Sequence, residues 1–286
     1  MTVRPVRDSD LEAAVAVVRA IDATAVMTAA SLATTLAIAP GDRFVAEADG
    51  EVVGWAPAFH RADGAVSFWV GVLPDFRRRG LGGALFAALG EQLDGASSRS
   101  YAAGDDGCRF LEARGYAPAG TLHLQALDLA AAVPDAAAVP GFRAVPLTEL
   151  LDRLRDVHRL YAAVRADVPR GHISPVPFEE FLSEIEGTLF DRDASVVVLE
   201  GNEPVALSLV LADRESGRAD TDLTGTLAAY RGRGLACFAK TDSLRRLREL
   251  GIHTVSTAND EGNEPMRSLN ESLGFREAAV WTRYVR

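Results

Sequence analysis

One lysine, Lys240, stands among 30 basic residues, and all the others are arginine. Cysteine is just as scarce. Cys108 and Cys237 have neither a pairing nor a metal-ligand spacing, which excludes a disulfide framework and predicts two free thiols in a reducing compartment. The histidines His60, His123, His158, His172 and His253 form no ligand pattern, and no metal is expected. Long apolar runs are missing too: "SVVVLE" (195–200) and "EPVALSLVLA" (203–212) are too short to span a bilayer. The opening "MTVRPVRDSDLEAA" has no apolar signal core, so a cytoplasmic protein is expected, away from membranes. Positive charge is in deficit, the net being −10, with 11 basic against 17 acidic residues in 1–140 and 19 against 23 in 141–286. That balance argues against a nucleic-acid partner and mildly favours a cationic small molecule.

What is present is a rhythm that occurs twice in 286 residues, a length suited to two domains. "VRPVRDSDLEAAVAVVRAI" reads as a strand and a helix with an acidic start, and "GFRAVPLTELLDRLRDVHRLY" repeats the pattern. Hairpins are signalled around Asp49-Gly50 and Gly201-Asn202. "AVSFWVGVLP" and "ADTDLTGTLAAY" each run as a strand into a turn and an alanine-rich helix. Each half closes with a helix, "CRFLEARG" or "EPMRSLNESLG", and terminal strands. Between the halves, "LAAAVPDAAAVPG" reads as a semi-stiff linker. The expected organisation is an α/β (α+β) tandem. Domain 1–130, linker 131–140 and domain 141–286 follow, each domain a mixed, mostly antiparallel sheet flanked by helices.

The two turns are "RRRGLGGAL" (77–85) and, 154 residues on, "RGRGLACFA" (231–239). A helix that starts after such a turn presents unpaired N–H groups and the positive end of its dipole, an anion site. Glycine lets a phosphate approach the backbone, and arginine adds charge. Neither turn has the Gly-Lys-Ser/Thr of nucleotide hydrolases.

Arg-x-x-Gly-x-(Gly/Ala) after a strand resembles the acetyl-CoA motif of the GNAT superfamily of N-acetyltransferases. Arg77, Gly80 and Gly82 match it in the first copy, and Arg231, Gly234 and Ala236 in the second. Together with "FLEARGY" and "LNESLGF" near the two domain ends, the resemblance covers nearly the whole chain twice. The second half is similar to tandem GNAT proteins of high-GC bacteria. The resemblance implies acetyl-CoA as cosubstrate, held by Arg77, Arg78, Arg79, Gly80, Leu81 and Gly82 in one copy. In the other the holders are Thr226, Leu227, Ala228, Arg231, Gly232, Arg233, Gly234, Leu235 and Ala236, with Asn259 and Asn263 on the next strand's exit.

Amide formation needs a neutral amine, hence a base. In several family members an acid sits eleven residues before the loop arginine, which here is Asp220; Asp222 lies nine before. A strand of period two puts Asp220, Asp222, Thr224 and Thr226 on one face, against Val66, Phe68, Val70 and Val72 in the first copy. An apolar face takes no proton, so the second copy is expected to be catalytic and the first degenerate. A solvated loop across "DRESGRADTD" is the bland alternative. The family's tyrosine, which protonates the leaving sulfur, is replaced by Asn270 and Leu111, and a thiol of pKa about 8.5 leaves tolerably without it. A backbone N–H near Leu227 is the expected polariser of the thioester carbonyl. The acceptor is expected to be the primary amine of a small, cationic metabolite or antibiotic, met by Glu179, Glu180, Asp220 and Asp222. The alternatives are a non-catalytic acyl-CoA sensor and a mycothiol-synthase-like enzyme. A monomer or simple homodimer is expected.

Overall fold

The computed structural model describes residues 1–39, 41–61, 63–130, 138–169 and 176–286. The chain divides by contacts into two compact units, Met1–Leu122 with Val280–Arg286, and His123–Ala279. The expected boundary in the linker is therefore replaced by two crossings inside strands, and residues 131–137 of that linker lie outside the described residues.

The first unit runs β1 (Thr2–Pro5), α1 (Leu11–Ile21), α2 (Ala29–Ile38), β2 (Arg43–Ala48) and β3 (Glu51–His60). It continues with β4 (Val66–Phe68), β5 (Gly71–Val72), α3 (Leu81–Ala88), α4 (Gly90–Leu93), β6 (Ser98–Ala103), α5 (Gly104–Glu112) and the start of β7 (Ala117–Asp128). The single strand expected over 65–74 is interrupted at Trp69–Val70, and both pieces pair antiparallel with β3. The second unit runs β8 (Phe142–Pro146), α6 (Leu154–Ala166), α7 (Phe178–Ile185), β9 (Val196–Glu200), β10 (Glu203–Asp213) and β11 (Arg218–Thr226). Then come α8 (Leu235–Glu249), β12 (Thr254–Asp260), α9 (Glu264–Ser272) and the start of β13 (Arg276–Val285).

The sequence pattern explains the layers. β9 and β10 are apolar throughout because both faces are covered. Leu207 and Leu209 point into the cluster under α6 and α7, whereas Ala206 and Val210 belong to clusters under α8. α6 is amphipathic, with Val157, Leu160, Tyr161 and Val164 buried at helical spacing. It lies hard against β11: a Cβ at Gly225 would come within 2.3 Å of Val164 Cγ1, so only glycine lets the helix approach. In the first unit Asp10 secures the start of α1, accepting from the Arg7 N–H at 2.7 Å and pairing with Arg4 at 2.6 Å. Among the described residues no helix is long and apolar enough to cross a membrane.

The two crossings have a packing cause. Leu127 and Leu129, after the first, are buried in the α8–α9 core of the second unit. Past the second crossing, Trp281–Val285 pair antiparallel with Ala103–Arg99 of β6. Tyr284 is buried in the first unit's core, and its hydroxyl donates to Glu112 Oε1 at 2.8 Å. Tyr284→Ala is therefore expected to cost about 3–5 kcal/mol. In calorimetry that loss falls on the first unit's transition; an unshifted transition would refute the strand's structural role.

Candidate functional site

Both turns fold alike. Gly80 and Gly234 sit at the N-caps of α3 and α8 with φ of +83° and +77°, the left-handed region that favours glycine. Two residues earlier the copies differ: Gly232 has φ +76°, and its counterpart Arg78 adopts φ +62° despite its Cβ. Arg79 lies over the Phe76 ring at 5.2 Å, and Arg233 lies over Tyr230 at the same distance. Tyr230 in turn donates to Glu200 Oε2 at 2.8 Å. The first backbone bonds into the helices are Ala84 to Gly80 and Phe238 to Gly234. Among the described residues no carbonyl accepts from the amides of 78–83 or 232–237. Each turn thus offers a run of open donors at a helix start, the arrangement that binds an anion. Arg231 forms an ion pair with Asp167, just past α6, whereas Arg77 donates from Nε to the Val72 carbonyl at 3.0 Å.

Above the second turn the sheet parts. β11 and β12 pair in parallel over Arg218–Thr254, Ala219–Val255 and Asp220–Ser256, and then separate. Among the described residues two polar side-chain atoms on these strands are buried without a hydrogen-bond partner: Thr221 Oγ1 on β11 and Asn259 Nδ2 on β12. Such atoms carry a desolvation cost until a ligand meets them. Asn263, three residues past β12, is half-buried and caps α9 by position, without a side-chain bond to the first turn. Thr226 pairs with Ala206, and the Leu227 N–H donates to Val205 O at 3.0 Å. That donor is consumed by the β10 ladder, which leaves the carbonyl-polarising role to other N–H groups near it. Ala228 opens a short 3-10 turn, and Leu235 and Ala236 begin α8.

Asp220 and Asp222 lie on a strand rather than in a loop, but they do not share a face with Thr224 and Thr226. Leu209 pairs with Leu223 and Val210 with Thr221, which leaves Asp222 as the extra residue of a β-bulge. Asp220 pairs across the ladder with Leu211. Asp220 is partly buried and accepts from Ser256 Oγ at 2.8 Å. Asp222 instead lines a cavity of about 230 Å³ together with Tyr161, Arg165, Glu184, Phe181 and Leu211. Here Arg165 Nη1 donates to Tyr161 Oη at 2.7 Å, and Tyr161 donates to Glu184 Oε2 at 2.8 Å. Burial is the largest cause raising the Glu184 carboxyl above its usual range, with Asp222 adding to it and the Tyr161 bond opposing it. Glu184 keeps solvent contact, which sets it at the cavity mouth.

Two other candidates are buried elsewhere. Asn270 is fully enclosed, accepting from Lys240 Nζ at 2.7 Å and donating to Gln125 Oε1 at 2.9 Å. Both of its polar atoms are thereby spent inside the core, which corrects the expectation that it meets a leaving group. Lys240, the one lysine of the chain, is 1% exposed and lies 4.7 Å over the Phe275 ring. Burial lowers its pKa from 10.5 to about 7, against the pull of Asp220.

The first unit has a larger cavity, about 400 Å³, beneath its own turn and between β4 and β6. Arg77, Arg78, Gly80 and Gly82 line it with Arg114 and Trp281. Its carboxylate, Asp106, is already held by Arg78 at 2.7 Å and Arg109 at 3.0 Å. Behind Gly71 the acceptor side is filled, since a Cβ there would meet Trp69 at 2.2 Å and Ile21 at 2.7 Å. Among the described residues no group of three or more His, Cys, Asp or Glu side chains is placed to hold a metal.

Comparison with known proteins agrees with this geometry. The acetyltransferase (GNAT) domain family matches at residues 40–118, the first unit's turn included. No curated protein matches the sequence. Among solved structures, a GCN5-related N-acetyltransferase from Sphaerobacter thermophilus is 19% identical with a TM-score of 0.79, over 100% of this chain and 95% of its own. A tandem GNAT protein from the clavulanic acid biosynthesis pathway is 20% identical with a TM-score of 0.73, over 100% and 98%. An acetyltransferase of the GNAT family from Colwellia psychrerythraea is 13% identical with a TM-score of 0.64, over the full length of both. Residues 40–118 match the GNAT acetyltransferase domain family, and the chain as a whole shares the fold of these solved structures.

Sequence reasoning named Glu179 and Glu180 for the acceptor side and missed Glu184, Tyr161 and Arg165. The signal available was spacing: Tyr161 and Arg165 are i and i+4 on α6, and Glu184 lies between the buried Phe181 and Ile185.

Lys240 sets a pH test. Its folded pKa is depressed, so between about 7 and 10.5 the unfolded chain holds the extra proton. The penalty for burying the ammonium is complete below pH 7 and is relieved as pH rises through that window. Lys240→Met is expected to raise the unfolding midpoint, relative to the parent, more at pH 6 than at pH 9. A difference independent of pH would contradict the assignment.

Proposed function

We propose that the chain is an acetyl-CoA-dependent N-acetyltransferase acting on a small cationic amine, with the chemistry in the second unit. One observation carries this: the open amides of 232–237 and the orphaned Thr221 and Asn259 atoms lie along one parted seam that closes at Asp220. A diphosphate at the turn is met by those amides and by Arg231 and Arg233. From Leu227 back to Asp222 is five residues, roughly 17 Å of extended strand, which a phosphopantetheine arm laid in the seam can span. Asn259 Nδ2 then has an amide carbonyl to donate to, and Thr221 Oγ1 a group at the acyl end.

In this reading Asp222, exposed at the mouth of the cavity, takes the proton from the incoming ammonium, directly or through one water. Asp220 is bonded to Ser256 and adjoins the buried Lys240, a weaker position for proton exchange with an acceptor. The thiolate leaves without a side-chain acid, as its pKa near 8.5 permits. The first unit's cavity holds a second acetyl-CoA, but no carboxylate there is uncommitted among the described residues. A sensor rather than an enzyme is the second reading, and it is favoured by the larger cavity lying in the unit without the base.

Calorimetry with acetyl-CoA is expected to count two sites, with Arg231→Ala weakening one of them. Asp222→Asn is expected to lower kcat for thiol release by about 10²-fold or more while both sites still bind. Two sites without thiol release for any amine would leave the sensor. Loss of activity in Asp220→Asn alone would reassign the base.

A further inference from the structure

The first unit's cavity of about 400 Å³ passes through the sheet, and its two ends differ in chemistry. Strand β2 defines the two faces by alternation. Phe44 and Ala46 pack into the core under α3 and α5, and Val45 between them packs into the core under α1. The chain from β4 to β5 alternates in the same way: Phe68 and Val70 join the first core, and Trp69 joins the second. Phe110 and Leu111 line the cavity from the first face, and Ile21 and Trp69 line it from the second.

The charged groups gather on the first face. They are Arg77 and Arg78 of the turn, Arg114 at 3.6 Å over the Phe110 ring, and Asp106, which Arg78 and Arg109 hold at 2.7 and 3.0 Å. Among the described residues Asp106 is the one acidic side chain on the cavity walls. The end on the second face is apolar and closed. Ile21 ends α1 there, and a Cβ at Gly71 would meet Trp69 at 2.2 Å and Ile21 at 2.7 Å. An apolar space of this kind holds water poorly and takes apolar guests. An acetyl group ends in a single methyl and leaves these two side chains uncovered.

We propose that the first unit binds a CoA thioester of a medium-length saturated acyl chain, with its diphosphate at the turn and the tail of the chain against Ile21 and Trp69. Entry of CoA into this unit rests on the reading above; the length and apolarity of the acyl group rest on the closed end. Asp106 lies at the charged end and is doubly paired, so these walls supply no base to an incoming amine, and the chain is bound rather than transferred.

The sequence supplies its own reporter. All three tryptophans, Trp55, Trp69 and Trp281, belong to the first unit, and two of them line the cavity. Tryptophan emission of the full chain therefore follows this site and not the second turn. The titrants are CoA, acetyl-CoA, hexanoyl-CoA and free hexanoate. Each buried methylene is worth roughly fourfold, so hexanoyl-CoA is expected to bind at least about 10-fold, and up to about 10²-fold, more tightly than acetyl-CoA. Hexanoate alone is expected to leave the emission unchanged. Ile21→Phe fills the closed end and Ile21→Thr puts a hydroxyl there, and each is expected to lower the ratio of the two thioester affinities at least about fivefold. The acetyl-CoA titration of each variant shows that it is folded. Equal affinities for the two thioesters, a ratio unmoved in both variants, or a response to hexanoate alone overturns the assignment. Silence toward CoA itself refutes the thioester reading of this unit, whereas a response to CoA without the hexanoyl preference refutes the place of the chain alone.

Discussion

The second unit depends on where two parallel strands stop pairing. β11 and β12 share three residue pairs, the last of them Asp220–Ser256. Unpaired backbone inside a sheet is costly unless something replaces the ladder. Part of the replacement is internal, since the Thr257 hydroxyl donates to the Thr221 carbonyl at 3.4 Å. Among the described residues two further polar atoms of these strands, Thr221 Oγ1 and Asn259 Nδ2, have no partner, and the amides of the following turn are open as well.

Small differences separate the two similar copies. Gly232 and Arg78 occupy equivalent positions, and both adopt a left-handed backbone, a conformation that glycine reaches freely and arginine at a cost. Helix α6 carries a polar pair toward a cavity, whereas Trp69 and Ile21 fill the corresponding space behind Gly71. The first copy keeps the anion-binding turn and the larger cavity, and the second keeps carboxylates beside its seam. Duplication followed by loss at different places produces such a pair without any change of fold.

Most of the architecture was legible because the signals were local. The turn pairs Asp49-Gly50 and Gly201-Asn202 join strands as their chemistry requires, and the arginine–glycine turns open helices where the spacing put them. Three things were not legible, each for a non-local reason. The bulge at Asp222 is fixed by pairing with β10, and no period-two count along β11 reveals it. Burial of Lys240 and Asn270 depends on Gln125 in a strand 145 residues from Asn270 in sequence. The cavity around Glu184 is assembled by α6, α7, β10 and β11 together, so no single stretch announces it.

The crossings in β7 and β13 reverse an ordinary order of events. Residues 123–279 are contiguous and can collapse as soon as they have all left the ribosome, whereas the unit that begins at Met1 lacks its edge partner for β6 until residues 280–286 emerge. Multidomain chains generally fold from the N-terminus during synthesis. Here the leading half stays incomplete, with the Tyr284 site in its core unfilled, until the trailing half has been made.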